Sequence, residues 1–203
     1  MKLLNQKELE IAANILKNGG IIAFPTETVF GLGVVYDDEK AYQRLVAVKR
    51  RPPEKPFTLM LAETKDIAKY AVIDKKTQQL IDKFMPGQFT IIVDAKPGLP
   101  KWCVSNVGKV GIRIADYKVI TDIIKMTGKP LLVPSANKSG EPPATTHEEV
   151  IKNLGDELDA IVEGKSVSNT PSTVVVIDDK GAHVVRAGAI TQEQIDEEIS
   201  KEL

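Results

Sequence analysis

The densest group of basic side chains in this sequence is Lys49, Arg50 and Arg51, with Lys55 close behind. Cations at the C-terminal end of a helix interact favourably with the helix dipole, which accounts for one or two of them. Three consecutive cations exceed that need. Arginine binds two phosphate oxygens at once, and lysine supplies a compact positive charge. The group therefore predicts a binding site for a phosphate-containing ligand such as a triphosphate.

Polar side chains also stand at the ends of several apolar segments: Thr28, Ser135, Asn137, Ser172 and Arg186. Ligands of open α/β sheets bind at strand ends, where such groups can orient phosphate or sugar oxygens. Hydroxyl and amide side chains also form ordinary turns, because they bond to nearby backbone groups. The spacing of these residues leaves both interpretations open.

Arg113 lies inside an apolar segment, Val110–Ile114. Alternate residues of a strand point to opposite faces, which places Arg113 on the face opposite Val110 and Ile112. Taken alone, this pattern predicts an arginine that faces solvent from a half-exposed strand.

Helices and strands must bring these residues together, and the period of the apolar residues predicts both kinds of element. Helices are predicted between Asn5 and Gly19, over Ala41–Arg51, Thr77–Phe84, Val119–Met126 and Glu148–Leu154, and after the Thr191/Gln194 capping box. Strands are predicted at Ile21–Phe24, Phe57–Leu61, Phe89–Val93, Val110–Ile114, Leu131–Val133, Thr173–Ile177 and Val184–Val185. Pro25–Gly33 is predicted as a loop whose glycines let the backbone approach a ligand, and Pro52–Pro53 should stop the second helix. The order indicates a mixed α/β sheet.

Composition excludes several classes of protein. The 203 residues, 42% of them hydrophobic, suffice for one domain spanning 1–203, and the net charge of −1 gives no overall attraction for nucleic acid. The single Cys103 and two separated histidines predict neither a disulfide nor a metal site. No apolar run approaches the ~20 residues that cross a bilayer, and no signal peptide is recognisable. We expect a soluble cytoplasmic protein that does not bind membranes.

Several short segments, taken in order from about residue 10 to about residue 190, resemble the YrdC-like family of threonylcarbamoyl-AMP synthases. They are Pro25–Gly33, Lys49-x-Arg51-Pro52, Pro86–Thr90, Gly111–Arg113, Pro134–Gly140, Pro171–Thr173 and Arg186–Gly188. Each motif is weak by itself, whereas the ordered set is specific. The resemblance, which is to the short single-domain form, implies a twisted open mixed sheet flanked by helices, with a concave basic cleft.

The resemblance also assigns roles to residues of this chain. It implies that ATP is bound by Lys49, Arg51, Ser135, Asn137 and Arg186, with Lys49 and Arg51 as the catalytic pair. It implies that threonine is held by Thr28, Arg113 and Ser172, with Arg113 on the carboxylate. This chain departs from the family where Phe30 replaces Tyr, Met60 replaces His and Ala187 replaces Pro.

The activity implied is a nucleotidyl transfer. L-Threonine, bicarbonate and ATP would give threonylcarbamoyl-AMP and pyrophosphate, for the threonylcarbamoyladenosine modification of tRNA. Mg²⁺ would arrive with ATP, without a tightly bound prosthetic group. A threonylcarbamoyl transferase complex would receive the product, and weak contact with tRNA is expected. The alternative is a non-catalytic RNA-binding module that uses the same cleft, although aromatic residues make up only 5% of the chain.

Overall fold

The computed structural model describes residues 1–51 and 55–201. The strands are β1 (Lys2–Leu4), β2 (Ile22–Phe24), β3 (Gly31–Val35), β4 (Leu59–Met60), β5 (Phe89–Asp94), β6 (Lys109–Arg113), β7 (Leu131–Leu132), β8 (Ala160–Val162), β9 (Thr173–Asp178) and β10 (Gly181–Arg186). The helices are α1 (Leu9–Lys17), α2 (Glu39–Lys49), α3 (Lys75–Phe84), α4 (Lys118–Thr127), α5 (His147–Leu154) and α6 (Gln192–Ser200). Short 3₁₀ turns lie at Thr64–Lys69, Lys101–Cys103 and Gly155–Glu157.

These strands form one 10-stranded sheet in the order β1-β8-β2-β3-β7-β4-β6-β5-β9-β10. Parallel pairs such as β4/β6 and β5/β9 stand beside antiparallel pairs such as β5/β6 and β9/β10. The predicted mixed α/β sheet flanked by helices is therefore confirmed. None of the helices in the described ranges is long and apolar enough to span a bilayer.

Helices cover both faces of the sheet, because the strands alternate their buried side chains. In β2, Ala23 packs into a core that also holds residues of α2, α3, α5 and α6. Its neighbours Ile22 and Phe24 pack into a second core with residues of α1 and α4. Both cores consist of buried apolar side chains, so burial of apolar area holds the three layers together.

Local signals set the helix ends as the sequence indicates. The Asp38 carboxylate accepts from the backbone N–H of Ala41 at the start of α2, and the Thr191/Gln194 capping box is present at the start of α6. Arg50 ends α2 in a left-handed conformation with φ of 48°. The predicted stop at Pro52–Pro53 lies outside the described residues.

Three differences from the predicted elements concern strands. Gly31–Val35 is strand β3 and not a loop, while β1 and β8 are too short to leave an alternation pattern. Gly31 and Gly33 are needed because a Cβ on either would lie within 3.0 Å of the buried Phe24 ring. Both glycines therefore make room for the Phe24 ring, a packing role that their sequence pattern does not predict.

Candidate active site

A cleft opens on the face of the sheet that carries α1 and α4. Thr90, Ile92 and Arg113 line it, and they alternate along β5 and β6 with the core residues Ile91 and Ile112. The predicted position of Arg113, opposite its apolar neighbours, is confirmed. Other lining residues come from the segment between β2 and β3, from the segment between α2 and β4, from β6 and the turn before it, from the end of β7, and from β9, the residues before it and β10. They are Thr26, Thr28, Val29, Phe30, Gly31, Arg51, Pro56, Phe57, Thr58, Met60, Ser105, Lys109, Gly111, Val133, Pro134, Ser135, Pro171, Ser172, Val174 and Arg186.

Arg113 is 7% exposed, so the solvent-facing position that the strand pattern alone predicted is wrong. Its guanidinium is held along one edge. Its Nη2 donates to Glu27 Oε1 at 2.7 Å and to Thr28 Oγ1 at 3.0 Å, and its Nε donates to the carbonyl of Gly87 at 3.3 Å. Its Nη1 has no hydrogen-bond partner within residues 1–51 and 55–201. The guanidinium is thus fixed through one edge and keeps two donors for a ligand.

The hydroxyl of Thr28 is oriented by a chain of hydrogen bonds. Thr26 Oγ1 donates to the carbonyl of Val29 and lies 2.9 Å from Thr28 Oγ1. Since the Thr26 proton is used on Val29, Thr28 must donate to Thr26 in this arrangement. Thr28 Oγ1 accepts from Arg113 as well, so its remaining capacity is that of an acceptor.

Arg186 and Ser172 form a second anchored pair on the opposite side of the cleft. The Arg186 guanidinium donates twice to the carbonyl of Ser172 and once to its hydroxyl, at 2.9 to 3.1 Å. The Ser172 hydroxyl lies 2.8 Å from that of Thr90, which is buried. Gly188 packs directly behind this segment, with no room for a Cβ against the backbone of residues 171–173.

Arg51 enters the cleft from the end of α2. Its Nε donates to the carbonyl of Lys55 at 3.1 Å, and its guanidinium carbon lies 5.3 Å from the centre of the Phe57 ring, a cation–π geometry. Desolvation lowers the pKa of Arg51. Desolvation, then Arg113 and then Arg51 lower the pKa of Arg186, as expected where two other guanidinium groups lie near enough to repel its charge. An anion placed between them would relieve that repulsion.

Lys49 is arranged differently, since it is buried and is not among the lining residues. Its ammonium donates to the carbonyls of Ser135 and Asn137 and to Asn137 Oδ1. The Ser135 hydroxyl donates to the same Oδ1 at 2.6 Å. All three ammonium donors are used within the protein. Burial, followed by the charge of Arg51, lowers the pKa of Lys49 to about 8.

The structure thus divides the predicted site residues into two groups. Thr28, Arg51, Ser135, Arg113, Ser172 and Arg186 line one cleft. Lys49 and Asn137 lie beneath it and fix the loop that carries Ser135. Of the three departures from the family pattern, Phe30 and Met60 are buried at the cleft wall, whereas Ala187 is exposed.

Three residues at the site received no role from the sequence: Glu27, Thr90 and Lys109. Lys109 lines the cleft, and its ammonium is held by Asp94 at 2.8 Å and by the carbonyl of Ile177. Glu27 was recognisable as a charged residue between two threonines in an apolar surrounding, but its partner is distant in sequence. Within the described ranges, no group of three or more His, Cys, Asp or Glu side chains could hold a metal ion.

Comparison with known proteins connects this geometry to a family. The family model for Sua5, YciO and YrdC, described as "Telomere recombination", matches residues 14–188. A threonylcarbamoyl-AMP synthase from Vibrio campbellii is 35% identical over 186 residues, which cover 90% of this chain and 100% of that protein. A putative threonylcarbamoyl-AMP synthase from Methanocaldococcus jannaschii is 33% identical over 91% of this chain and 87% of that protein.

Solved structures agree with the fold. The crystal structure of P. abyssi Sua5 complexed with L-threonine superposes with a TM-score of 0.92 at 26% identity. The match covers 98% of this chain, which spans only 61% of the P. abyssi chain.

Proposed function

The chain belongs to the Sua5/YciO/YrdC family, and from that membership we propose that it is a threonylcarbamoyl-AMP synthase. It would join L-threonine, bicarbonate and ATP into threonylcarbamoyl-AMP and pyrophosphate, a nucleotidyl transfer that supplies the threonylcarbamoyladenosine modification of tRNA. The curated relatives named above carry this activity in their names. Those names lend no support to the alternative of a non-catalytic RNA-binding module.

The observation that carries the proposal is the set of three arginines, Arg51, Arg113 and Arg186, around one cleft that also presents oriented hydroxyls. Each reactant is an anion or carries a carboxylate, so the site must gather negative charge. Thr28, Arg113 and Ser172 would hold threonine, with Arg113 Nη1 on its carboxylate. Arg51, Ser135 and Arg186 would contact ATP directly, and Lys49 with Asn137 would support Ser135 from below.

The chemistry requires alignment more than a reactive side chain. The amine of threonine and bicarbonate form a carbamate with loss of water. A carbamate oxygen then attacks the α-phosphorus of ATP, and the bond to the bridging oxygen breaks to release pyrophosphate. Cations stabilise the charge that develops on the phosphate oxygens, and holding the reactants together replaces a costly encounter in solution. No covalent intermediate with the protein is needed.

Mg²⁺ fits this scheme as a companion of ATP. No Asp or Glu is found among the described lining residues, so the protein offers hydroxyls and carbonyls in place of a carboxylate cage. When bound, the metal would neutralise phosphate charge. We also propose that the product passes to a threonylcarbamoyl transferase complex in the cytoplasm, with at most weak contact between this chain and tRNA.

A carbamate is labile in water, and closure of a segment over the cleft would protect it. The segments placed to do so are the stretch after β2, which carries Thr28, and the Arg186–Gly188 turn. We expect hydrogen exchange at both to slow when ATP and threonine are bound together. Unchanged exchange at both would argue against closure.

The proposal is tested by pyrophosphate release from ATP. Release should require both threonine and bicarbonate, and omission of either should reduce it to background. Adenylated product should form in equal amount, as measured by mass spectrometry. If the rate of pyrophosphate release did not depend on threonine or on bicarbonate, the proposed function would be wrong.

A further inference from the structure

Glu27 has a buried carboxylate whose two oxygens differ in their hydrogen bonding. Oε1 accepts from Arg113 Nη2 at 2.7 Å and from the backbone N–H of Asp116 at 3.2 Å. Oε2 is also buried and has no hydrogen-bond partner among the described residues. Burying a carboxylate with one unsatisfied oxygen is costly, because water would otherwise solvate it. Some gain elsewhere must offset that cost.

The gain lies in how Glu27 sets the orientation of Arg113. The side chains of the pair are each 9% exposed, so solvent screens their attraction little. Glu27 Oε1 and Thr28 Oγ1 together occupy both protons of Nη2, and the carbonyl of Gly87 occupies that of Nε. Among the partners that the described residues offer, none is bonded to Nη1, which therefore remains for a ligand in the cleft that Arg113 lines. Glu27 therefore determines which edge of the guanidinium meets a ligand.

Glu27 also joins two parts of the fold. It lies in the segment after β2, whereas Arg113 ends β6 and Asp116 lies in the turn between β6 and α4. One oxygen bonded to both residues ties that turn to the guanidinium. A carboxylate that served the fold alone would gain more from binding arginine through both of its oxygens, the usual bidentate geometry.

We propose that Glu27 is a positioning residue for amino-acid recognition, which holds Arg113 so that Nη1 receives the substrate carboxylate. This inference rests on the proposed function, because it takes threonine as the ligand. It adds a residue to the site and identifies the substrate group through which that residue acts. The prediction is a defect confined to ligands that carry an α-carboxylate.

The test is calorimetric binding of L-threonine and of L-threonine amide to the full chain, with a non-hydrolysable ATP analogue present. Glu27→Gln keeps the shape and an acceptor oxygen but removes the charge that holds the guanidinium. We expect it to weaken threonine binding by roughly tenfold and threonine amide by less than about twofold. In pyrophosphate release, the KM for threonine should rise while the KM for ATP stays the same.

Asp94→Asn is the matched control. Asp94 binds Lys109, another cation at the same cleft, so the variant loses one carboxylate partner of a lining cation without touching Arg113. It should leave the binding of both amino-acid ligands unchanged. Glu27→Asp, which keeps the charge but shortens the reach to Nη2, provides the second variant if Glu27→Gln does not fold, and should show the same selectivity for the carboxylate.

Equal weakening of threonine and its amide, or of threonine and ATP, would mean that Glu27 only maintains the fold. Unchanged threonine binding in both Glu27 variants would also overturn the inference. Failure of the underlying function looks different, since the unmodified chain would then bind no threonine and release no threonine-dependent pyrophosphate.

Discussion

Two cationic regions meet at the cleft, and they use their charge in opposite ways. Beneath the cleft, Lys49 donates every proton of its ammonium to the loop of Ser135 and Asn137. In the cleft, Arg113 keeps Nη1 unbonded within the described residues. Both were predicted from sequence as substrate-binding cations. The buried lysine behaves as part of the scaffold, whereas the arginines keep donors for a ligand.

The difference follows from the chemistry of the two side chains. An ammonium presents three donors around one atom, so a single loop of carbonyls can satisfy it entirely. A guanidinium spreads five donors around a plane, so the protein can fix one edge and leave another free. A lysine near a ligand site can therefore affect the ligand through the loop that it holds, whereas an arginine can be fixed by the protein and still bind the ligand directly.

Replacement of Lys49 is the strongest way to test this contrast. In Lys49→Met, three hydrogen bonds from the buried ammonium are lost, to the carbonyls of Ser135 and Asn137 and to Asn137 Oδ1. We expect a loss of about 3 kcal/mol in the free energy of unfolding, measured with urea. Catalytic efficiency with ATP should fall at the same time, because the Ser135 loop is released. Arg51→Ala should raise the KM for ATP with less than about 1 kcal/mol of destabilisation. Similar stability losses in both variants would contradict the division between scaffold and ligand-binding cations.

Replacement of Gly188 tests whether the Arg186–Ser172 pair depends on a fixed backbone, as the Ser135 loop depends on Lys49. In Gly188→Ala the new Cβ would clash with the N–H of Thr173 and lie 2.6 Å from the carbonyl of Pro171. We expect about 2 kcal/mol of destabilisation, seen in thermal or urea unfolding, and a higher KM for threonine as Ser172 shifts. Gly155→Ala is the control, because its Cβ would make only ordinary contacts, the nearest at 3.5 Å. If Gly188→Ala and Gly155→Ala lowered the stability and raised the KM for threonine equally, the close packing of Gly188 would not explain the result.

The pH dependence of activity tests the lysine separately from the arginines. With a pKa of about 8 instead of the ordinary 10.5, Lys49 loses its charge and one donor as the pH rises through 8. Efficiency with ATP should then fall by roughly tenfold from pH 8 to pH 9.5. The unfolded chain keeps this proton up to about pH 10.5. Between pH 8 and 10.5 the unfolded state therefore binds one proton more than the folded state, so the contribution of Lys49 to the free energy of unfolding rises with pH over this range.

Lys49→Met provides the control for that profile. Its efficiency with ATP should be low and flat across the same pH range. If the variant keeps the fall above pH 8, another group is responsible and Lys49 does not connect pH to the Ser135 loop.

The smallest effect is expected at Thr90, which supports the Arg186–Ser172 pair through one hydroxyl. Thr90→Val keeps the shape and removes a single hydrogen bond, so threonine should bind a few-fold more weakly, with about 1 kcal/mol of destabilisation. Thr127→Val removes a comparable buried hydroxyl from α4, and Thr127 is not among the residues that line the cleft. The control variant should lose stability only. If the two variants change the KM for threonine equally, Thr90 has no specific role in threonine binding.

The sequence by itself determined much of the fold and the composition of the site. Periods of two and of 3.6 residues depend on local geometry, so they predicted the α-helices and most strands found in residues 1–51 and 55–201. The same alternation placed Arg113 on the face that carries the cleft. The ordered motifs indicated the family, because each preserves residue types at fixed spacing. Strands β1 and β8 were not predicted, because three residues are too few to establish a period.

Only the tertiary structure decided what each charged group does. Arg113 and Glu27 are 86 positions apart in the chain, and Lys49 and Ser135 are equally distant. Spacing cannot reveal such pairs, since they form only when separate strands are packed side by side. Whether a cation has donors left for a ligand depends on which carbonyls and carboxylates that packing brings within about 3 Å. Residue type supplied the candidates, and packing separated the lysine whose donors are all used within the protein from the arginines that keep donors for a ligand.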